Sequence, residues 1–130
     1  MKAFSLCWRS STKARKQRKY IVNAPLHIRH RFVSMHLSPE LRKKHGTRNL
    51  PARKGDTIKI LRGSLAGRTG KIDHIEDEKI FVGGIENTRK DGSKSLIPLQ
   101  PSNLMLTEIV LEDKKRSMAL ERKTKRKDNG

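Results

Sequence analysis

The chain has 130 residues, 33% of them hydrophobic and 34% charged, which leaves room for one small domain with extensions and excludes a large apolar core. Thirty-one Lys and Arg against 13 Asp and Glu give a formal net charge of +18, which points to a polyanionic partner, nucleic acid first and an anionic membrane surface second. Cys7 is the only cysteine, so no intramolecular disulfide can form, and no run approaches the roughly 20 apolar residues of a membrane span.

In chain order, "MKAFSLCWRSS" (1–11) holds a short apolar run that ends at Arg9, too short for a signal segment, so a soluble intracellular protein is expected. "STKARKQRKY" (11–20) has no apolar residue but Ala14 before Tyr20; it cannot pack a core and is expected to order only against a partner. "APLHIRHRFVSMHL" (24–37) places Leu26, Arg29 and Phe32-Val33 at near-helical spacing and predicts a helix. "SPELRKKHG" (38–46) predicts a short helix, with Ser38 as cap, Pro39 in the first turn, Lys43 and Lys44 in the last, and Gly46 beyond it.

From residue 57 the period changes to two. Ile58 and Ile60 alternate with Thr57 and Lys59 in a half-buried strand pattern. "RTGKIDHI" supplies Ile72 and Ile75, whose spacing of three breaks the alternation and predicts a bulge or bend. "KIFV" puts Ile80 and Val82 on one face, and Glu76, Asp77 and Glu78 before it read as a solvated turn. "NTRKDGSK" is a loop with Asp91-Gly92 as its turn. "SLIPL" and "LMLTEIV" complete five short strands, a small barrel with Pro98 at an edge. The charge follows this division. Residues 1–48 carry 13 basic residues and one acid, residues 49–108 carry 10 and 8, and residues 109–130 carry 8 and 4. A basic N-terminal extension with short helices (1–48), a nearly neutral barrel (49–108) and a charged C-terminal tail (109–130) are therefore expected.

Three glycines and a lysine in "GSLAGRTGK" (63–71) resemble a phosphate loop, but the signature fails. Counting back from Gly70-Lys71, the first glycine should fall at Leu65; Ile72 stands where Ser or Thr would bind magnesium; and a strand pattern follows where a helix is required. The conformational reading is that Gly63 and Gly67 turn a loop between two strands, and that Gly70 permits a bulge or tight packing. The loop then offers Arg62, Arg68 and Lys71 beside bare backbone amides to an RNA phosphate.

"KGDTIKILRGSLAGRTGKIDHI" (54–75) resembles a KOW motif, with Gly67 at its central glycine. The flanks, "RKQRKYIVNAPLHIRHRFVSMHLSPELRKKHGTRNLPARKGD" (15–56) and "IPLQPSNLMLTEIVLED" (97–113), resemble the archaeal and eukaryotic form of the universal large-subunit ribosomal protein twenty-four, protein twenty-six in eukaryotic numbering. The likeness covers about residues 12–116. It implies a mainly β fold built on an SH3-like barrel, and a non-enzymatic, cytoplasmic role in the large ribosomal subunit. It also implies direct binding to large-subunit rRNA early in assembly and a place near the exit of the peptide tunnel. The implied partners are that rRNA, neighbouring ribosomal proteins and factors at the tunnel exit.

The residues expected to touch RNA are Lys13, Arg15, Lys16, Arg18, Lys19, Arg29, His30, Arg31, Arg42, Lys43, Lys44, Arg48, Arg53, Lys54, Arg62, Gly63, Gly67, Arg68 and Lys71. A charge run is usually a solvated face, but 48 residues with a single acid favour RNA. His27, His30, His36 and His45 lack the cysteines or carboxylates of a zinc site, so no metal or cofactor is expected. Tyr20 could stack on a base or pack against the body. The alternatives are a KOW-type transcription elongation factor module that binds RNA polymerase, which would carry a sizeable α/β domain before the barrel, and a basic DNA-compaction protein.

Overall fold

The computed structural model describes residues 4–128, with side chains through residue 124, so the ends of the first and last stretches lie outside the described residues. Its strands are β1 (Ser34–Leu37), β2 (Asn49–Pro51), β3 (Thr57–Ile60), β4 (Thr69–Glu76), β5 (Lys79–Val82), β6 (Glu86–Thr88), β7 (Lys94–Leu96) and β8 (Leu104–Glu108). Six of them form one sheet in the order β2-β1-β8-β3-β4-β5, and β6 and β7 pair as a separate hairpin. Only β1 and β8 run parallel, as a long connection between them allows.

The alternation in "TIKI" sets the register. Ile58 and Ile60 point inward opposite Leu106 and Leu104 of β8, and Ile58 also faces Gly70 of β4. Gly70 is where it is because of crowding: a Cβ there would lie 2.5 Å from Val82 Cγ1 and 3.2 Å from the Gly83 carbonyl. The bulge expected from the Ile72–Ile75 spacing is present. Ile72 pairs with Val82 and His74 with Phe81, so Asp73 is the extra residue that returns Ile75 to the core side. Asp77 and Glu78 close the β4–β5 hairpin with φ of +45° and +64°, the double positive φ of a type I′ turn.

Two expectations change. The helix expected over 24–37 stops early, as α2 (Leu26–Phe32), and the rest becomes β1. Met35 and Leu37 are fully buried while His36 is exposed, and β1 inserts between β2 and β8. A two-period run with a slot in the sheet overrides a weak helical spacing. The run expected to stay disordered until bound instead forms α1 (Ala14–Asn23), built from good helix formers. It is held by a satellite cluster in which Tyr20, Ala24 and Ile28 pack with Phe4, Trp8 and Phe32. Tyr20 therefore takes the packing role, with Phe4 stacked on it at 5.4 Å. The helix over 38–46 forms as expected: α3 (Pro39–His45) has the Ser38 hydroxyl accepting from the Leu41 N–H and Gly46 left-handed at φ +62°.

The fold is thus β-rich but mixed. The sheet has six strands where about five were expected, and no pairing among the described residues joins β2 to β5. The outer edge of β5 takes only a bridge from Ile80 to Leu99. The sheet also draws β1 from within residues 1–48.

The tail forms α4 (Lys114–Asp128), fixed to the sheet by a buried ion pair. Asp56, fully buried at the corner before β3, accepts from both terminal nitrogens of Arg116, at 2.8 and 2.7 Å. The backbone N–H groups of Arg53 and Val110 each donate to it at 3.0 Å. Arg116 also donates to the carbonyls of Val110 and Pro51, and Leu120, one turn on, joins the core. Removing one partner of such a pair leaves a buried charge uncompensated. We expect Arg116→Met to lower the unfolding free energy by about 3–5 kcal/mol in urea denaturation. A loss within experimental error would show that Asp56 does not depend on Arg116.

Candidate nucleic-acid interface

The sequence-predicted cations lie on four elements. α1 and its N-cap carry Lys13, Arg15, Lys16, Arg18 and Lys19; α2 carries Arg29, His30 and Arg31; α3 carries Arg42, Lys43 and Lys44; and the loop from Arg62 to Arg68 leads into Lys71 on β4. Arg48 precedes β2, and Arg53 and Lys54 form the corner that Asp56 closes. All of them but Arg29 are exposed.

They differ in what holds them. Arg29 is half-buried, with Nε 3.3 Å from Glu78 and a terminal nitrogen 3.6 Å from Asp77, so its charge is already answered. The acidic turn is solvated as expected, with Glu76 and Asp77 exposed, and it also offers Asp77 and Glu78 to Arg29 of α2. Arg53 pairs with Asp113, and Lys54 lies 3.9 Å from Asp73. Arg42 donates from Nε to the Leu37 carbonyl at 2.8 Å, which fixes the stem of an exposed guanidinium. Lys13, Arg15, Lys16, Arg18, Lys19, Arg31, Lys43, Lys44, Arg48, Arg62, Arg68 and Lys71 have no acidic partner within salt-bridge distance among the described residues. Lys19 also sits 5.8 Å from the centroid of the Trp8 ring.

The glycine loop is closed at its neck. The Gly67 N–H donates to the Ile60 carbonyl at 2.8 Å, and the Ile60 N–H donates to the Arg68 carbonyl at 2.9 Å. Gly63 and Gly67 have φ of +98° and +88°, and a Cβ at either would meet no atom within 4 Å. Backbone conformation, not crowding, calls for glycine there, and the open space leaves the loop accessible. β4 follows, with no helix whose N-terminus could hold a phosphate, as the failed signature implies.

Three cations of the strands and hairpin escaped the sequence reading. Lys59 is exposed on β3 opposite Thr69 and Met105, on the same outward face as Lys71; the outward phase of "TIKI" carried that signal. Arg89 and Lys90 are exposed at the tip of the β6–β7 hairpin, which the sequence showed only as a loop. His45 is not a cation of this set. Burial first, and the neighbouring Lys44 second, hold its pKa below the usual histidine value. No three His, Cys, Asp or Glu side chains are grouped to hold a metal among the described residues. No helix among them is long and apolar enough to cross a membrane.

Residues 11–123 match the family described as the ribosomal proteins L26 of eukaryotes and their archaeal counterparts of the twenty-four type. The chain is 44% identical to the large ribosomal subunit protein uL24 of Methanosphaera stadtmanae, over 87% of this chain and 98% of that protein. It is 46% identical to the protein of the same name from Methanocella arvoryzae, over 88% of this chain and 94% of that one.

Asp113 makes the stability of the fold depend on pH at the acid end. The Lys115 N–H bonded to its carboxylate, and next the Arg53 guanidinium, hold Asp113 below the usual carboxylate range. A depressed folded pKa means stabilisation that is complete above the unfolded value of about 3.9 and is lost as pH falls through the folded one. Thermal melting from pH 7 to pH 2 should therefore show an acid-side fall that is shallower in Asp113→Asn, and superimposable profiles would show that the Asp113 carboxylate contributes nothing to the fold.

Proposed function

The chain belongs to the family of eukaryotic L26 ribosomal proteins and their archaeal counterparts, and on that premise we propose that it is a structural constituent of the large ribosomal subunit in the cytoplasm, binding the large-subunit rRNA directly. The family is one of ribosomal proteins, not enzymes. The observation that carries RNA binding is the set of exposed cations on α1, α3 and the glycine loop that have no acidic partner of their own. Like charges held together on a folded surface repel one another, and phosphates relieve that repulsion while releasing counterions.

The match includes the basic arm as well as the KOW segment, which favours this reading over a polymerase-binding KOW module. In this reading residues 1–48 are the rRNA-binding arm, 49–108 the SH3-like body and 109–130 a charged appendage to it. The support for such a body is the six-stranded antiparallel-rich sheet and the bridge from Leu99 to the outer edge of β5. An early place in assembly and a position beside the tunnel exit complete the reading, and they are supported by the family resemblance alone.

Salt dependence tests the reading. If about ten phosphates are neutralised, log K for large-subunit rRNA should fall against log[salt] with a slope of order −7 to −9. A slope near −2 would sink the multi-contact reading. Removing residues 1–19 should flatten the slope and leave the sheet folded.

The glycine loop has its own test. Gly67→Val places a β-branched residue at φ +88°, which the backbone resists, in the space left open for RNA. Weaker rRNA binding with the sheet retained is expected, and wild-type affinity would show that Gly67 is not the critical turn.

A further inference from the structure

α4 presents one inner stripe and one outer face. Arg116, Leu120 and Thr124, spaced four apart, form the stripe. Arg116 is bound to Asp56, Leu120 is only 3% exposed in the core, and the Thr124 hydroxyl is shared between the His45 and Leu120 carbonyls, 3.1 Å from each. Three fixed points along one side set the rotation of the helix about its axis. They leave Lys114, Lys115, Arg122 and Lys123 exposed and without an acidic partner within salt-bridge distance among the described residues. The last of the three points seats α4 against the end of α3, where Arg42, Lys43 and Lys44 are exposed. The depressed proton affinity of His45 between them reflects burial and the positive field of Lys44.

A basic helix of this composition, undocked, is a solvated tail whose ordering entropy opposes binding. Here the buried pair has already ordered it, and the helix meets the end of α3 with its exposed cations lacking an acidic partner within salt-bridge distance among the described residues. That arrangement is unfavourable by itself and becomes favourable against a row of phosphates.

We propose that α3 and α4 together form a second face for an RNA backbone, with Lys115, Arg122 and Lys123 acting beside Arg42, Lys43 and Lys44, and with the Asp56–Arg116 pair as its positioning device. The inference rests on the rRNA-binding reading above and adds to it the outer face of α4, which extends the cations of α3 beyond the basic arm and the glycine loop. The partner is RNA phosphate, without base readout, because the face presents lysine and arginine and no aromatic side chain.

The test uses the full chain and a transcript of the large-subunit rRNA. A triple variant, Lys115→Gln, Arg122→Gln and Lys123→Gln, should keep wild-type circular dichroism and show a salt slope shallower by about 2–3. Ala119→Pro keeps every charge but interrupts the helix between the buried pair and Arg122. It should weaken binding at fixed salt by about tenfold or more, with hydrogen-exchange protection of β3 and β4 retained. A control variant, Arg15→Gln, Lys16→Gln, Arg18→Gln and Lys19→Gln, separates this inference from the broader reading. If the control flattens the slope while the triple variant keeps it at the wild-type value, α4 is a solvated helix and the second face is overturned, with RNA binding by the arm intact. If Ala119→Pro binds as wild type, positioning by the buried pair is overturned. If the control and the triple variant both bind as wild type, the broader reading fails and this one with it.

Discussion

Asp56 ties together parts of the chain that are far apart in sequence. Its carboxylate takes the Arg53 N–H at the corner before β3, the Val110 N–H just after β8, and both arms of Arg116 on α4. Four charge-assisted hydrogen bonds occupy about all the acceptor sites a carboxylate has. That saturation is why an ionised group can sit fully buried beside a small core. Partly satisfied, it would be worse than an apolar residue of the same size. Arg116 is nearly as well served, with only its Nε lacking a partner. The pair fixes where β3 begins, where the chain leaves β8 and where α4 starts, so the register of the central strands and the course of the tail share one anchor.

The second constraint is the chain's own charge. A body of little net charge carries an arm with one acid among 13 basic residues, and such an arm tends to drift from the body rather than dock on it. What holds it is β1, which lies inside the sheet with Met35 and Leu37 fully buried. Before β1, the aromatic cluster of Phe4, Trp8, Tyr20 and Phe32 ties the arm's own segments together, separate from the main core. Arg29 of α2 also reaches the acidic turn of Asp77 and Glu78. The turn needs positive φ at two non-glycine residues. Carboxylates there serve a purpose that the conformationally easier Asn-Gly would not, because they bring negative charge to the face that α2 crosses.

The strands of the body were legible in the sequence because their burial pattern is local. Ile58 and Ile60, the Ile72–Ile75 break and the Ile80–Val82 pair each declare a face within a few residues, and the structure has strands at all three. Ser38, Pro39 and Gly46 marked α3 for the same reason. What was not legible depends on distant partners. Met35 and Leu37 alternate in a way that fits a strand, but the neighbouring Leu26, Arg29 and Phe32 suggested one continuous helix, and only the slot beside β8 decides between them. Asp56 looked like part of a loop motif and Arg116 like one cation among many; nothing local says that they meet across a separation of 60 residues. The exposed cations could be named from the sequence, yet their differences could not. Arg29 and Lys43 look alike in a string of letters, and one is already paired while the other is not.

That difference connects fold to function. A small apolar core can hold little more than the sheet itself, since even a domain of about 150 residues buries only about 70% of its unfolded surface. The acids of the chain are few, and several of them are committed to holding elements in place: Asp56 to α4, Asp77 and Glu78 to α2, Asp113 to the start of α4 and to Arg53. Each cation so engaged is a structural one. The cations left over sit on α1, α3, the glycine loop and the outer face of α4, on elements whose positions the engaged pairs fix. A scaffold built this way keeps its own charge unsatisfied by design of its pairing, and binding a polyanion then stabilises the folded form by mass action, because the unfolded chain cannot present the same array.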